Sequence, residues 1–225
     1  MRYHFALENR RHGPLTAGLH LLLRMLRWIS PVWWLGRRWP SFRDQEDLTL
    51  EQIRDRKFTR KRIRDVDLYV LIWLVVELIL VGIYEEIPVE SPWSTVVGVV
   101  AVLRIIEVLR VALAAALFDQ ILRHSDNRVV SSPRLIVLGM VNFFELILCY
   151  GLVYTNSIAL LKNASTVNDA LYFSGVTQLT VGFGDVVPSG FLREVMISQG
   201  LAGFVIAILV LGRLVGSLPQ VRTRR

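Results

Sequence analysis

The sequence predicts an all-α membrane protein with four spanning helices and one re-entrant segment. Three observations carry this. Mean hydropathy is +0.45 although 20% of the residues are charged, so the two kinds must be segregated along the chain. They are segregated: 15 of the 26 Lys and Arg residues precede Asp67. Beyond that point come four apolar runs, each long enough for a bilayer, which takes about 20 residues. Such runs must be helical, because no water is present to satisfy a bare backbone. This pattern excludes an ordinary cytosolic enzyme, a disordered tail protein and a secreted disulfide scaffold. The one cysteine, Cys149, lies in an apolar run; it has no intrachain partner and reads as a buried thiol.

Residues 1–65 form a basic cytoplasmic or interfacial segment. Between Leu15 and Ile29, His20, Arg24 and Arg27 share one helical face. Leu15, Leu19, Leu22, Leu26 and Ile29 line the other, as in a helix lying at a membrane surface. Trp28, Trp33, Trp34 and Trp39 follow closely, which suits a headgroup boundary. Residues 41–65 alternate acidic and basic side chains and lead, as a solvated helix or linker, into the first span.

The first span is Val66–Tyr84 and the second Trp93–Leu122, so residues 66–122 make a two-helix peripheral module. Residues 123–134 are a basic loop with Arg123, Arg128 and Arg134. The third span is Leu135–Leu161 and the fourth Phe191–Leu218; residues 219–225 are a short basic tail. The loop between the first two spans has Glu85, Glu86 and Glu90 and no Lys or Arg. Positive-inside bias therefore puts both termini in the cytoplasm and residues 163–190 outside, in a multi-pass protein of the plasma membrane. The same bias accounts for the net charge of +7 without a nucleic-acid partner. If the chain is full length, no ligand-binding domain is expected after Leu218.

The outward loop has its own organisation. Residues 168–179 suit a helix of about ten residues, too short to span. Ser165, Thr166 and Asn168 are candidate N-caps, and Asp169 suits the positive end of the helix dipole. The stretch Thr180-Val181-Gly182-Phe183-Gly184-Asp185 follows, and Pro188 and Gly190 turn the chain into the fourth span. Irregular backbone at membrane depth is tolerated where it lines a water-filled path. A bare alkali cation needs oxygen ligands, and backbone carbonyls provide them without a fixed charge. Aiming successive carbonyls one way takes positive φ at alternate residues, which Gly182 and Gly184 allow. Val181 and Phe183 then point away from the path and pack behind it, and Thr180 adds a hydroxyl at its inner end.

This stretch resembles the selectivity filter of the tetrameric P-loop potassium channels, in a Phe-containing form. The resemblance covers residues 135–218 and implies a pore module of outer helix, pore helix, filter and inner helix. It implies passive K⁺ conduction through a homotetramer in the lipid bilayer, with K⁺ as permeant ion and no cofactor or other metal. Carbonyls of Thr180, Val181, Gly182 and Phe183, with the Thr180 hydroxyl, form the cation sites, and Gly184 lies at the outer mouth. Asp185 sits behind the filter with Tyr172 as its hydrogen-bond donor, and Gly203, or neighbouring Gly200, is the inner-helix hinge. Three positions depart from the family pattern: Phe183 has no hydroxyl, Leu179 replaces a Thr, and Gln178 stands where an apolar residue is usual. A looser Phe183 filter implies a weakly selective cation channel as the alternative; a non-conducting membrane subunit is the other.

Five ionisable residues fall inside the spans: Glu77, Arg104, Glu107, Arg110 and Glu145. Such residues are costly in hydrocarbon and are usually paired. Glu77 and Arg104 lie at similar depth, within reach of each other, and Glu107 is one turn from Arg104 and from Arg110. Arginines at every third position suit voltage sensing, but Glu107 interrupts the run, so structural pairing is expected. Glu145 faces either the pore helix or the peripheral module. The four histidines fall in cytoplasmic segments, and no catalytic constellation is visible, so no enzyme is expected.

Overall fold

The computed structural model describes residues 18, 21–23, 25–42, 55–87, 91–122 and 132–217. Leu15 and Leu19 of the surface helix, residues 43–54, loop residues 123–131 and the tail from 218 lie outside the described residues. The chain divides into two compact units, Met1–Val76 and Glu77–Arg225.

In the first unit, a 3-10 turn at Arg27–Ile29 leads into helix α1, Pro31–Arg38. Pro31 opens α1, where its missing N–H costs nothing, and Arg37 and Arg38 sit favourably at the negative end. Leu22, on the expected apolar stripe, is exposed, whereas Leu23, off that stripe, is buried. Helix α2, Arg56–Tyr84, begins ten residues before the expected span. Asp55 Oδ1 accepts from the Lys57 N–H at 2.9 Å and fixes that start, so the charged entry and the span are one helix. Phe42 meets Tyr69 edge-on, with ring centres 5.6 Å apart.

The second unit holds the remaining helices. Helix α3, Pro92–Leu122, starts at a proline, and Ser91 Oγ accepts from the Trp93 N–H at 3.1 Å. Helix α4 is Ser132–Asn156, so the basic loop ends three residues earlier than expected and the third span five residues earlier than Leu161. The chain leaves α4 for a 3-10 turn at Ile158–Leu160 and strand β1, Leu161–Lys162. Helix α5, Val167–Gln178, is the expected short helix; strand β2, Val187–Pro188, and helix α6, Leu192–Ser217, are the last described elements.

Helix α4 is the centre of this unit and packs against α3, α5 and α6. Its Leu146, Cys149, Tyr150, Leu152 and Tyr154 meet Val97, Ala101, Ile105 and Val108 of α3, Ala170 and Phe173 of α5, and Ala202 and Ile206 of α6 in one apolar core. Gly151 on α4 leaves the space that the Leu171 side chain of α5 fills. Tyr84 OH donates to Asn156 Oδ1 at 3.1 Å and ties the end of α2 to the end of α4.

The protein is an all-α membrane protein. Among the described residues three helices are long and apolar enough to cross a bilayer, over Lys57–Tyr84, Ile136–Asn156 and Leu192–Gly212. Helix α3, expected as another span, is not among the three. It carries Arg104, Glu107 and Arg110 at its middle, all buried inside the unit.

Candidate functional site

The loop expected to face outward is held at its base by a clasp. β1 and β2 run antiparallel, Leu161 opposite Pro188 and Lys162 opposite Val187. Both the N–H and the hydroxyl of Ser189 donate to the Leu160 carbonyl, at 2.8 and 2.7 Å. Asn163, at φ 64°, donates its side-chain nitrogen to the Asp185 carbonyl at 2.8 Å. Asparagine tolerates this left-handed conformation better than most residues.

Between these ties, α5 starts at a full capping box. Thr166 Oγ1 accepts from the Asp169 N–H at 3.2 Å, and Asp169 Oδ2 accepts from the Thr166 and Ser165 N–H groups at 2.9 and 2.8 Å. Of the three candidate caps, Thr166 is the one used. The Ser165 and Thr166 N–H groups hold the Asp169 carboxyl below its usual range.

After α5 the backbone alternates. Thr180, Gly182 and Gly184 have φ of 58°, 61° and 77°, every second residue of the stretch. The two glycines take this conformation at little cost; Thr180 is β-branched and takes it against its preference. The Leu179, Thr180 and Val181 N–H groups donate to the Gly175, Thr177 and Val176 carbonyls at 2.9, 3.1 and 2.9 Å, so the stretch hangs from the last turn of α5. Val181 and Phe183, expected behind the wall of the path, are exposed, because nothing in their own chain covers them. The Tyr172 phenol is hydrogen-bonded to the Asp185 side chain, and that contact raises its pKa. Gly200 and Gly203 both lie in the unbroken helix α6.

A buried polar chain joins three helices under the loop. Tyr154 OH of α4 donates to Gln199 Oε1 of α6 at 2.8 Å. Gln199 Nε2 donates to the carbonyl and the hydroxyl of Ser174 on α5, at 2.9 and 2.8 Å. Ser174 Oγ in turn donates to the Ile147 carbonyl of α4 at 2.7 Å. Gln199 and Ser174 are fully buried. Sequence reasoning weighed only ionisable residues inside the spans. An uncharged Gln in an apolar helix is the same kind of signal, since it too must find partners.

Residues 142–218 match a family model described as ion channel. The match covers about a third of the chain and supports an ion-channel pore module over this stretch. The pore module includes most of α4, all of α5, the alternating stretch and α6. Two curated relatives, Protein LctB of Bacillus caldotenax and Protein LctB of Geobacillus stearothermophilus, are each 41% identical over 51 residues. That alignment covers 23% of this chain and 38% of each relative, so the chain spans well under half of either. No solved structure matches the chain.

Beside this stretch, the three carboxylates expected inside the spans converge on one guanidinium. Arg104 Nη2 donates to both Glu145 oxygens at 2.9 Å, and Nη1 donates to Glu107 Oε2 at 2.7 Å. Its Nε stands 3.6 Å from Glu77 Oε1, an ion-pair distance rather than a hydrogen bond. Cys149 Sγ donates to that same Glu77 oxygen at 3.3 Å. Arg110, about one turn beyond Glu107, is buried as well. The pore module thus meets α3 through the Glu145 carboxylate, while α2 contributes Glu77 at the edge of the cluster. Among the described residues no group of His, Cys, Asp and Glu has the arrangement of a metal site.

Proposed function

We propose that this chain is the subunit of a K⁺-selective channel, with four copies arranged around one conduction path. The observation that carries the reading is the alternation of left-handed backbone at Thr180, Gly182 and Gly184. Such alternation turns successive carbonyls toward one side, where they replace the water shell of an ion without binding it too tightly to leave. The carbonyls of Thr180, Val181, Gly182 and Phe183 and the Thr180 hydroxyl form the ion sites, and Gly184 opens the outer mouth. Tyr172 and Asp185 brace the filter from behind.

A single chain supplies one strand of such a ring, so closure needs further copies. The exposed Val181, Phe183, Phe204 and Leu211 supply apolar surface for their contact. Helix α3 is a further span, with its Arg104 and Glu107 paired inside the Arg104 cluster, which lowers the cost of placing them in hydrocarbon. Both termini are cytoplasmic and the β1–β2 clasp is on the outer side of the plasma membrane.

The test is the reversal potential of purified protein in a planar bilayer, with K⁺ on one side and Na⁺ on the other. A value close to the K⁺ equilibrium potential is expected. A value near zero would replace the reading with a weakly selective cation channel. Silence across voltage, pH and lipid composition would favour a non-conducting subunit.

A further inference from the structure

Gln178 is the last residue of α5 and is 4% exposed, yet neither its amide nitrogen nor its amide oxygen has a hydrogen-bond partner. On the facing side, a carbon added at Gly203 of α6 would stand 2.7 Å from Gln178 Nε2 and 2.9 Å from its Cδ. The Gln178 amide therefore lies against the backbone of α6, in the space that a side chain at 203 would occupy. Helix α6 runs unbroken from Leu192 to Ser217, and its backbone at 203 has no left-handed φ. What glycine provides at 203 is room. At Gly200, three residues earlier, the same added carbon meets nothing within 4 Å.

An unpaired buried amide is expensive, and an apolar side chain of the same shape would fill this space more cheaply. The amide also sits two residues before Thr180, on the turn of α5 from which the filter stretch hangs. We propose that Gln178 is a positioning residue, seated on Gly203, that couples movement of the inner helix to the entrance of the filter. A shift of α6 toward α5 presses on the amide and hence on Leu179 and Thr180. A shift along or away from α5 brings backbone carbonyls bared by Gly203 within reach of the unused Nε2. The two arrangements of α6 thus exchange one set of amide contacts for another, and the filter entrance follows. This inference rests on the channel reading above.

The test is a double-mutant cycle on the full chain, read in two ways: K⁺ flux from liposomes and the melting temperature of the detergent-purified protein. Gly203→Ala is expected to lower flux roughly tenfold and to lower the melting temperature, the scale on which overpacking a buried site acts. In a Gln178→Ala background, where the obstructing atoms are gone, Gly203→Ala is expected to have little effect on either. Equal damage in both backgrounds would overturn the seat and favour a backbone hinge. Gln178→Leu keeps the volume and removes the amide, so it is expected to melt no lower than wild type but to conduct less. Wild-type flux in Gln178→Leu would overturn the coupling and leave only packing. If wild-type protein carries no flux at all, the channel reading and the coupling fall together, while the melting cycle still decides whether Gln178 is seated on Gly203.

Discussion

Thr180 is the least comfortable residue of the loop, a β-branched side chain held at φ 58°. Strain of this kind persists where the surrounding structure imposes it, and it concentrates at functional positions. Gly182 shares the conformation without the strain. Gly182→Ala is therefore expected to abolish K⁺ flux in liposomes while the protein still inserts and purifies. An added carbon there meets nothing within 4 Å, so the damage comes from the backbone and not from a clash. Undiminished flux would sink the proposed filter. Asp169 gives a pH test at the same scale. Its carboxyl is held below the ordinary range by the Ser165 and Thr166 N–H groups. Its stabilising effect is therefore complete above the ordinary carboxylate range and is lost as pH falls through its lowered pKa. Acid titration of thermal stability should show wild type losing its advantage over Asp169→Asn as pH drops. Parallel curves would mean that the cap contributes nothing. Thr166→Ala should cost about 1 kcal/mol at neutral pH, as for other helix caps, measured by denaturant unfolding.

Among the elements, α3 and α4 meet through an apolar core and through the Arg104–Glu145 pair. Removing one member of a buried ion pair strands its partner and costs about 3–5 kcal/mol. Arg104→Gln leaves three carboxylates without their shared guanidinium and is expected to be the most damaging change in the cluster. Glu145→Gln should lower the melting temperature more than Glu77→Gln, because Glu145 accepts two hydrogen bonds at 2.9 Å and Glu77 stands at 3.6 Å. The reverse order in purified protein would contradict this ranking. The sequence made Glu77 and Arg104 candidates for pairing by depth alone. Depth does not say which helix faces which, so Glu145 was left with two possible faces until α4 was packed on α3. The ends of α4 escaped for a related reason. Its apolar run continues to Leu161, but residues 158–162 turn away to pair with β2, a partner 26 residues further on that no local pattern announces.

For the whole molecule, the expectation to test is stoichiometry. Light scattering of the detergent-purified chain should give a protein mass of four subunits; a stable monomer would remove the proposed ring. Much of the architecture was legible beforehand, because hydropathy and loop charge act over whole segments. Helix α5 and its cap region were also readable, from Thr166, Asp169 and the glycines beyond. What could not be read is what depends on contact at a distance. The polar chain through Tyr154, Gln199 and Ser174, and the seat of Gln178 on Gly203, bring together residues 20 or more positions apart. The left-handed Thr180 was hidden for another reason: no β-branched residue advertises that conformation.

The tie between Asn163 and the Asp185 carbonyl has a consequence for how the protein is made. Asn163-Ala164-Ser165 is an acceptor sequence for N-linked sugar. A eukaryotic host that exposes this loop to its secretory lumen would attach the glycan at the Asn163 side-chain nitrogen, the atom that holds the Asp185 carbonyl. Glycosylated and bare protein would then be different objects, one with a bulky substituent at the clasp and one with the clasp closed. Material from bacterial cells, which leaves Asn163 unmodified, is the form in which the outer end of the loop is tied as described.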